Sequence, residues 1–187
     1  MGSFKNVKKG TKVGLFVFLA LSVALFVYQV INLAAGGKVP FFVVMHVAAL
    51  LVLIAAILLY VFALYKKPHG NLLRYLFFFF GLYLAFQGAV DFQEANLFVP
   101  GCVNLLAALI VTYVSGRLNK IEKNQPLLLL VGVFLLIHWI LYTFVCVDYF
   151  KIDRLFGSLG DMIYLGALGF SYVARYEEHK AAGLEDK

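Results

Sequence analysis

Six runs of about 20 apolar residues, parted by short polar segments, occupy most of the 187-residue chain. A run of that length matches the hydrocarbon core of a bilayer. Inside hydrocarbon a backbone must satisfy its own hydrogen bonds, so each such run is confined to a helix. The runs fall at about 13–35, 40–65, 72–90, 97–114, 126–147 and 155–173. Gly36 and Gly37 break the first, and Lys66, Lys67 and Pro68 end the second. Pro100 falls in the first turn of the fourth and Pro126 opens the fifth, positions where a helix tolerates proline. The expected fold is all-α: one polytopic membrane domain over 1–187, a bundle of six transmembrane helices. The first run is too long for the apolar region of a cleaved signal peptide, although Ala34-Ala35-Gly36 has something of a cleavage site, so it is expected to be retained.

With 63% hydrophobic and 14% charged residues, the chain leaves little outside the spans for a soluble catalytic module. It carries no P-loop, dinucleotide-binding fingerprint or zinc-knuckle spacing. The basic balance, a pI near 9.3, does not point to nucleic acid. The cations lie between the apolar runs, where they orient a membrane protein and meet anionic lipid. Thirteen of the 16 lysines and arginines fall in alternate segments with both termini, and only Lys38, Lys151 and Arg154 fall in the others. The positive-inside rule then places the N- and C-termini in the cytoplasm, in a plasma (inner) membrane. Tyr65, Tyr75, Tyr113, Tyr149 and Tyr176 stand at span ends, as interfacial tyrosines do. The acids divide evenly, with Asp91, Glu94, Asp148, Asp153 and Asp161 outside, so the outer side is mildly anionic and suits cations or neutral polar solutes.

Polar residues collect in the outer half: Asn32, His46, Gln87, Asp91, Glu94, Asn104, His138 and Asp161. The inner half is expected to be almost purely apolar. Polar groups within hydrocarbon are expensive and tend to serve function. On the third helix Tyr83, Gln87, Asp91 and Glu94 recur at helical spacing and make the best stripe. On the first helix Tyr28 and Asn32 share a face, with Gln29 beside it. On the fourth, Asn104, Ala108, Thr112 and Ser115 line up in the manner of a helix-packing seam. His46 stands alone on the second helix, a pattern typical of a satisfied core histidine. His138 has Tyr142 one turn nearer the outer surface, and Asp161 has Tyr164 on its face. Cys102 and Cys146 both fall toward the outer side, as a disulfide or as two buried thiols.

Gln87, Asp91, His138 and Asp161 lead the candidate ligand-binding residues, with His46, Tyr142, Glu94 and Asn104 around them. The leading expectation is an outward-facing pocket that binds or transports a small polar solute or cation. In size and topology the chain resembles the substrate-binding component of energy-coupling-factor transporters, and Ala20/Ala24 is similar to the alanine motif by which that family docks its partner. The resemblance implies a membrane partner protein and a transport role. No vitamin-binding motif accompanies it. A second expectation is a membrane-embedded enzyme, with His46, His138, Asp91 and Asp161 as candidate metal ligands. A variant of it has His46 and His138 as axial ligands of a haem, at depths differing by about 5 Å at the rise of an α-helix. A third is a sensor or structural subunit of a larger membrane complex or homo-oligomer, its polar residues satisfied internally.

Overall fold

The computed structural model describes residues 6–35, 41–66, 70–93, 95–117, 121–148 and 152–181. They form six α-helices: α1 (Lys9–Ala35), α2 (Phe41–Lys66), α3 (Gly70–Asp91), α4 (Phe98–Gly116), α5 (Ile121–Asp148) and α6 (Ile152–Ala181), with a 3-10 turn over Ala95–Leu97 leading into α4. Among the described residues there is no strand. Four segments are long and apolar enough to cross a membrane: Lys9–Asn32, Val43–Val61, Leu73–Asp91 and Phe98–Gly116. α5 contains a shorter described apolar stretch, Leu129–Leu141.

Each helix packs on its neighbours in sequence, and α6 returns to α1 to close a ring. The ring runs up and down. Gly14 meets Phe170 and Gly160 meets Phe26, which sets α1 antiparallel to α6. Gly88 meets Gly101, and Gly81 meets Thr112, which does the same for α3 and α4. One end of the bundle, the terminal end, therefore holds the start of α1 and the finish of α6. The opposite end holds the finish of α3 and the start of α4. α3 and α6 also touch across the middle of the ring, so these two helices carry the side chains that can meet at the centre.

The two closest seams are built on glycine. At α3–α4 a methyl group on Gly88 would come within 3.0 Å of the Gly101 carbonyl, and one on Gly101 within 3.1 Å of the Gly88 carbonyl. Only backbones without side chains approach so closely. At α1–α6 the glycines face rings: Phe170 lies over Gly14 and Phe18 over Gly166, and these two rings pack 5.3 Å apart. The interior between the seams is filled by Leu15, Leu50, Leu53, Phe77, Phe80 and Leu168. With the core filled, large apolar side chains still cover the outside: Val17 and Ile31 on α1, Leu58 and Leu59 on α2, Leu109 on α4, Leu129 on α5. Exposed apolar surface that wraps several helices, rather than forming one patch, is what lipid solvates and water does not.

Several expectations need correction. α5 starts at Ile121, so Pro126 lies inside the helix rather than at its start. Proline there gives up a hydrogen bond to the carbonyl four residues back. α6 runs on to Ala181, 30 residues in all, about 45 Å at the rise of an α-helix against a hydrocarbon core of about 30 Å. Within the spans the half near the termini buries the hydroxyl of Ser171, and Thr11, Ser115 and Glu178 are buried just beyond the span ends. Two of the hydroxyls serve the backbone or a neighbouring carboxylate: Ser115 donates to the Thr112 carbonyl at 2.6 Å and Thr11 to Glu177 at 3.2 Å. Ala20 and Ala24 face outward with Val17, Leu21 and Ile31, so they do not pack within the bundle as small residues often do. Cys102 is a half-buried free thiol, and the Cys146 side chain lies outside the described residues.

Candidate functional site: a buried polar layer

Gln29, His46, Tyr83, Gln87, Asp91, Asn104, His138 and Asp161 are all buried, and they come from all six helices. They lie toward the end of the bundle opposite the termini. The α3 stripe sets the frame. Tyr83, Gln87 and Asp91 are four residues apart, so one face of α3 points them inward together. α6 enters from across the ring and brings Asp161 against them. Tyr83 and Gln87 act on its carboxyl group through their polar ends, and Asp91 is near enough for its charge to be felt. Neither Asp161 oxygen closes a hydrogen bond of good geometry. From α5, His138 places Nε2 3.6 Å from the Asp91 carboxylate, with both side chains at most 1% exposed. The four leading candidates of the sequence, Gln87, Asp91, His138 and Asp161, thus share one place.

His46 belongs to the same layer by another route. The Gln29 amide nitrogen lies 3.1 Å from His46 Nε2. An amide nitrogen donates, so this ring nitrogen accepts and the neutral imidazole carries its proton on Nδ1. Tyr83 donates its hydroxyl to the Gln29 carbonyl at 3.3 Å and stacks on the His46 ring at 5.0 Å. Tyr83 thereby joins the His46 side of the layer to the Asp161 side. Beneath lies an aromatic floor: Phe80 packs on Tyr164 at 4.8 Å, and Phe26 on Tyr83 at 5.5 Å and on Tyr164 at 5.6 Å. Removing water and leaving apolar rings below strengthens every electrostatic interaction above them.

Asn104 is the oddity. The Gly88–Gly101 contact sets the register of α4, and one turn further Asn104 stands level with the Tyr83–Gln87 turn of α3. It is fully buried, and neither its amide nitrogen nor its carbonyl oxygen has a hydrogen-bond partner among the described residues. Gln87 Oε1 is likewise unsatisfied. An orphaned buried polar group costs roughly 1–3 kcal/mol, so three or four together in one layer call for an explanation.

Other candidates fall outside. Glu94 lies outside the described residues, and so does the side chain of Tyr142, whose backbone belongs to α5. Tyr28 is 40% exposed and packs edge-on to Phe156, while Asn32 is half-buried. Gln29, between them, is the residue α1 sends inward. Sequence reasoning left Gln29 and Tyr164 out of the site. Among the described residues no three His, Cys, Asp or Glu side chains converge on a common point. His46 Nε2 is 3.1 Å from the Gln29 amide nitrogen. No family model matches the chain, and no curated protein or solved structure is significantly similar to it.

Proposed function

We propose that the chain is a six-span membrane protein of the plasma membrane, with both termini in the cytoplasm, that binds a small polar solute or cation in the polar layer of its outer half and serves as the membrane component of a transporter. Four apolar helices and a lipid-like exterior support the membrane setting. The excess of lysine and arginine at the terminal end supports the orientation. The observation that carries the binding role is Asn104, an amide buried without a hydrogen-bond partner among the described residues, in the same layer as the equally buried Asp91–His138 pair. A group that gives up its water and gains nothing from the protein is explained if a ligand completes it. Two carboxylates and two imidazoles in the layer favour a cation, or a solute that carries hydrogen-bond donors.

Asn104→Leu tests this. If the amide waits for a ligand, the leucine variant is more heat-stable than ligand-free wild type in detergent, because an orphan polar group is gone. It also loses the small-molecule adduct that native mass spectrometry detects on wild-type protein. An unliganded wild type together with a destabilised Asn104→Leu would mean that Asn104 is part of the scaffold, and the binding role would fail.

A further inference from the structure

The orphaned atoms at the centre of the polar layer are mostly acceptors. Gln87 Oε1, Asn104 Oδ1 and both carboxyl oxygens of Asp161 close no hydrogen bond of good geometry among the described residues. Against these oxygens the same three side chains hold one open donor, Asn104 Nδ2. Pairing that donor with one oxygen still leaves the others open. All three side chains are at most 4% exposed. Among the described residues no lysine or arginine is buried, and the Asp91 carboxylate is already set against His138 at 3.6 Å. A carboxylate shut in hydrocarbon without a cation costs far more than a hydrogen bond left unmade.

Packing along the seams puts these side chains at one depth. Phe80 of α3 packs on Tyr164 of α6 at 4.8 Å. The two helices run antiparallel, so Asp161 and Tyr83, each three residues further from the terminal end, stand level. Phe26 of α1 confirms the level, since its ring lies against Gly160 and packs on Tyr83. On the other flank of α3, Gly88 meets Gly101 while Gly81 meets Ala108 and Thr112. These two contacts bracket Asn104 between the levels of Tyr83 and Gln87. Asp161, Asn104 and Gln87 therefore fall within about 6 Å along the bundle axis, at 1.5 Å per residue. Their three helices touch, with α3 between α4 and α6. The α3–α4 seam closes to backbone contact within one turn of both amides, and Leu105 lies over Gly88. Such a place suits a single ion better than a solute with a carbon frame.

We propose that Asp161, Gln87 and Asn104 bind a dehydrated alkali cation, Na⁺ or K⁺, through these oxygens. The proposal rests on the polar layer being a ligand site and names the class of ligand. Carboxylate and amide oxygens are hard donors, and carbonyl oxygens can stand in for the hydration shell of an alkali ion. Among the described residues no cluster of three carboxylates, imidazoles or thiolates forms the kind of site a transition metal prefers. One carboxylate neutralises one positive charge, whereas a divalent ion on the same oxygens leaves a charge uncompensated in the bilayer. The ion accepts nothing and needs only acceptors, which is what the three side chains have in surplus. Because its ligands come from α3, α4 and α6, an ion bound there holds three helices together and stabilises the folded bundle by mass action.

The test is thermal unfolding of the full-length protein in detergent, freed of alkali ions and titrated with sodium chloride, potassium chloride or choline chloride at equal ionic strength. At least one alkali salt is expected to raise the melting temperature by several degrees over choline, and to do so saturably. Asp161→Asn and Gln87→Met, close in size to the side chains they replace, remove that difference. Asn104→Leu, which carries no orphan amide to weaken the fold, removes it too. Glu178→Gln, a buried carboxyl at the terminal end, keeps it. The readout is the gap between salts within each protein, so a variant of lowered stability still reports. A wild type that melts at one temperature in all three salts, or a gap that persists in both Asp161→Asn and Gln87→Met, overturns the ion site. The native mass spectrum of the same preparation reports solute binding separately, so a solute adduct without any response to alkali salts removes the ion and leaves the binding role standing.

Discussion

Asp91 and His138 are as buried as any residues in the bundle and have each other at 3.6 Å. Taking a carboxylate out of water is paid back only by a partner, and breaking a buried pair costs about 3–5 kcal/mol because the survivor is stranded. Asp91→Leu and His138→Leu should therefore each destabilise the protein by about that much, and the double variant by clearly less than the sum. Unfolding of the four proteins in detergent micelles gives the coupling; strict additivity would mean that the two side chains do not act on one another. Both residues were legible in the sequence because an ionisable group within an apolar run is rare and expensive. Gln87 and Asp91 were legible as a pair because four residues is one turn of α3. Gln29 was not. It stands about 100° around α1 from Tyr28, and α1 is apolar on every side, so nothing in its own sequence marks the inward face. That choice is made by α2 and α3, which offer His46 and Tyr83 to whichever residue of α1 arrives between them.

At the level of helices, the seams decide where the polar residues stand. α1 and α6 interlock through two rings laid over two glycines, Phe18 on Gly166 and Phe170 on Gly14. Replacing a helical glycine ordinarily gains up to about 1 kcal/mol of helix propensity. Forcing extra carbons into a close-packed contact costs about 1–3 kcal/mol, and here the obstructing atoms are a phenyl ring held by Phe170 on its far side. The second effect wins. Gly166→Val is expected to lower the melting temperature, and Phe18→Ala added to it should restore part of the loss, since the smaller side chain vacates the space the valine needs. No rescue by the second substitution would show that the strain lies elsewhere on α6. The sequence does not show the partners of these glycines, because a glycine allows close approach and leaves open what approaches. The same limit explains Ala20 and Ala24: their spacing allows a packing seam, and the ring closure of α6 onto the opposite face of α1 leaves them outside. The helix ends were least legible. α6 continues past the apolar run to Ala181, with Glu178 buried and Glu177 held by Lys8 and Thr11 of the α1 end, so a hydropathy boundary falls short of the helix boundary.

For the molecule as a whole, ring closure and charge make one joint demand. A sequential ring closed by α6 on α1 puts every odd helix antiparallel to its neighbours, so the ends of the six helices divide into two layers. Nearly all the lysine and arginine falls in the layer with the termini, and the polar site lies toward the other. If all six helices cross the bilayer, Gln93 and Lys151 are outside while Lys180 is inside, because the positive-inside preference acts on every cytoplasmic segment in the same sense. If only the four most apolar helices cross, Gln93 stays outside but Lys151 falls on the cytoplasmic side with Lys180, so Lys151 separates the two arrangements. In a background with Cys102 and Cys146 replaced by alanine, single cysteines at positions 93, 151 and 180 can be challenged with a membrane-impermeant maleimide on intact cells. Gln93→Cys and Lys151→Cys are expected to label at once, and Lys180→Cys only after the membrane is opened. Protection of Lys151→Cys in intact cells would reduce the spans to four. It would also bring α5 and α6, and with them His138 and Asp161, out of the membrane that makes their burial costly, so the solute site depends on this one measurement of sidedness.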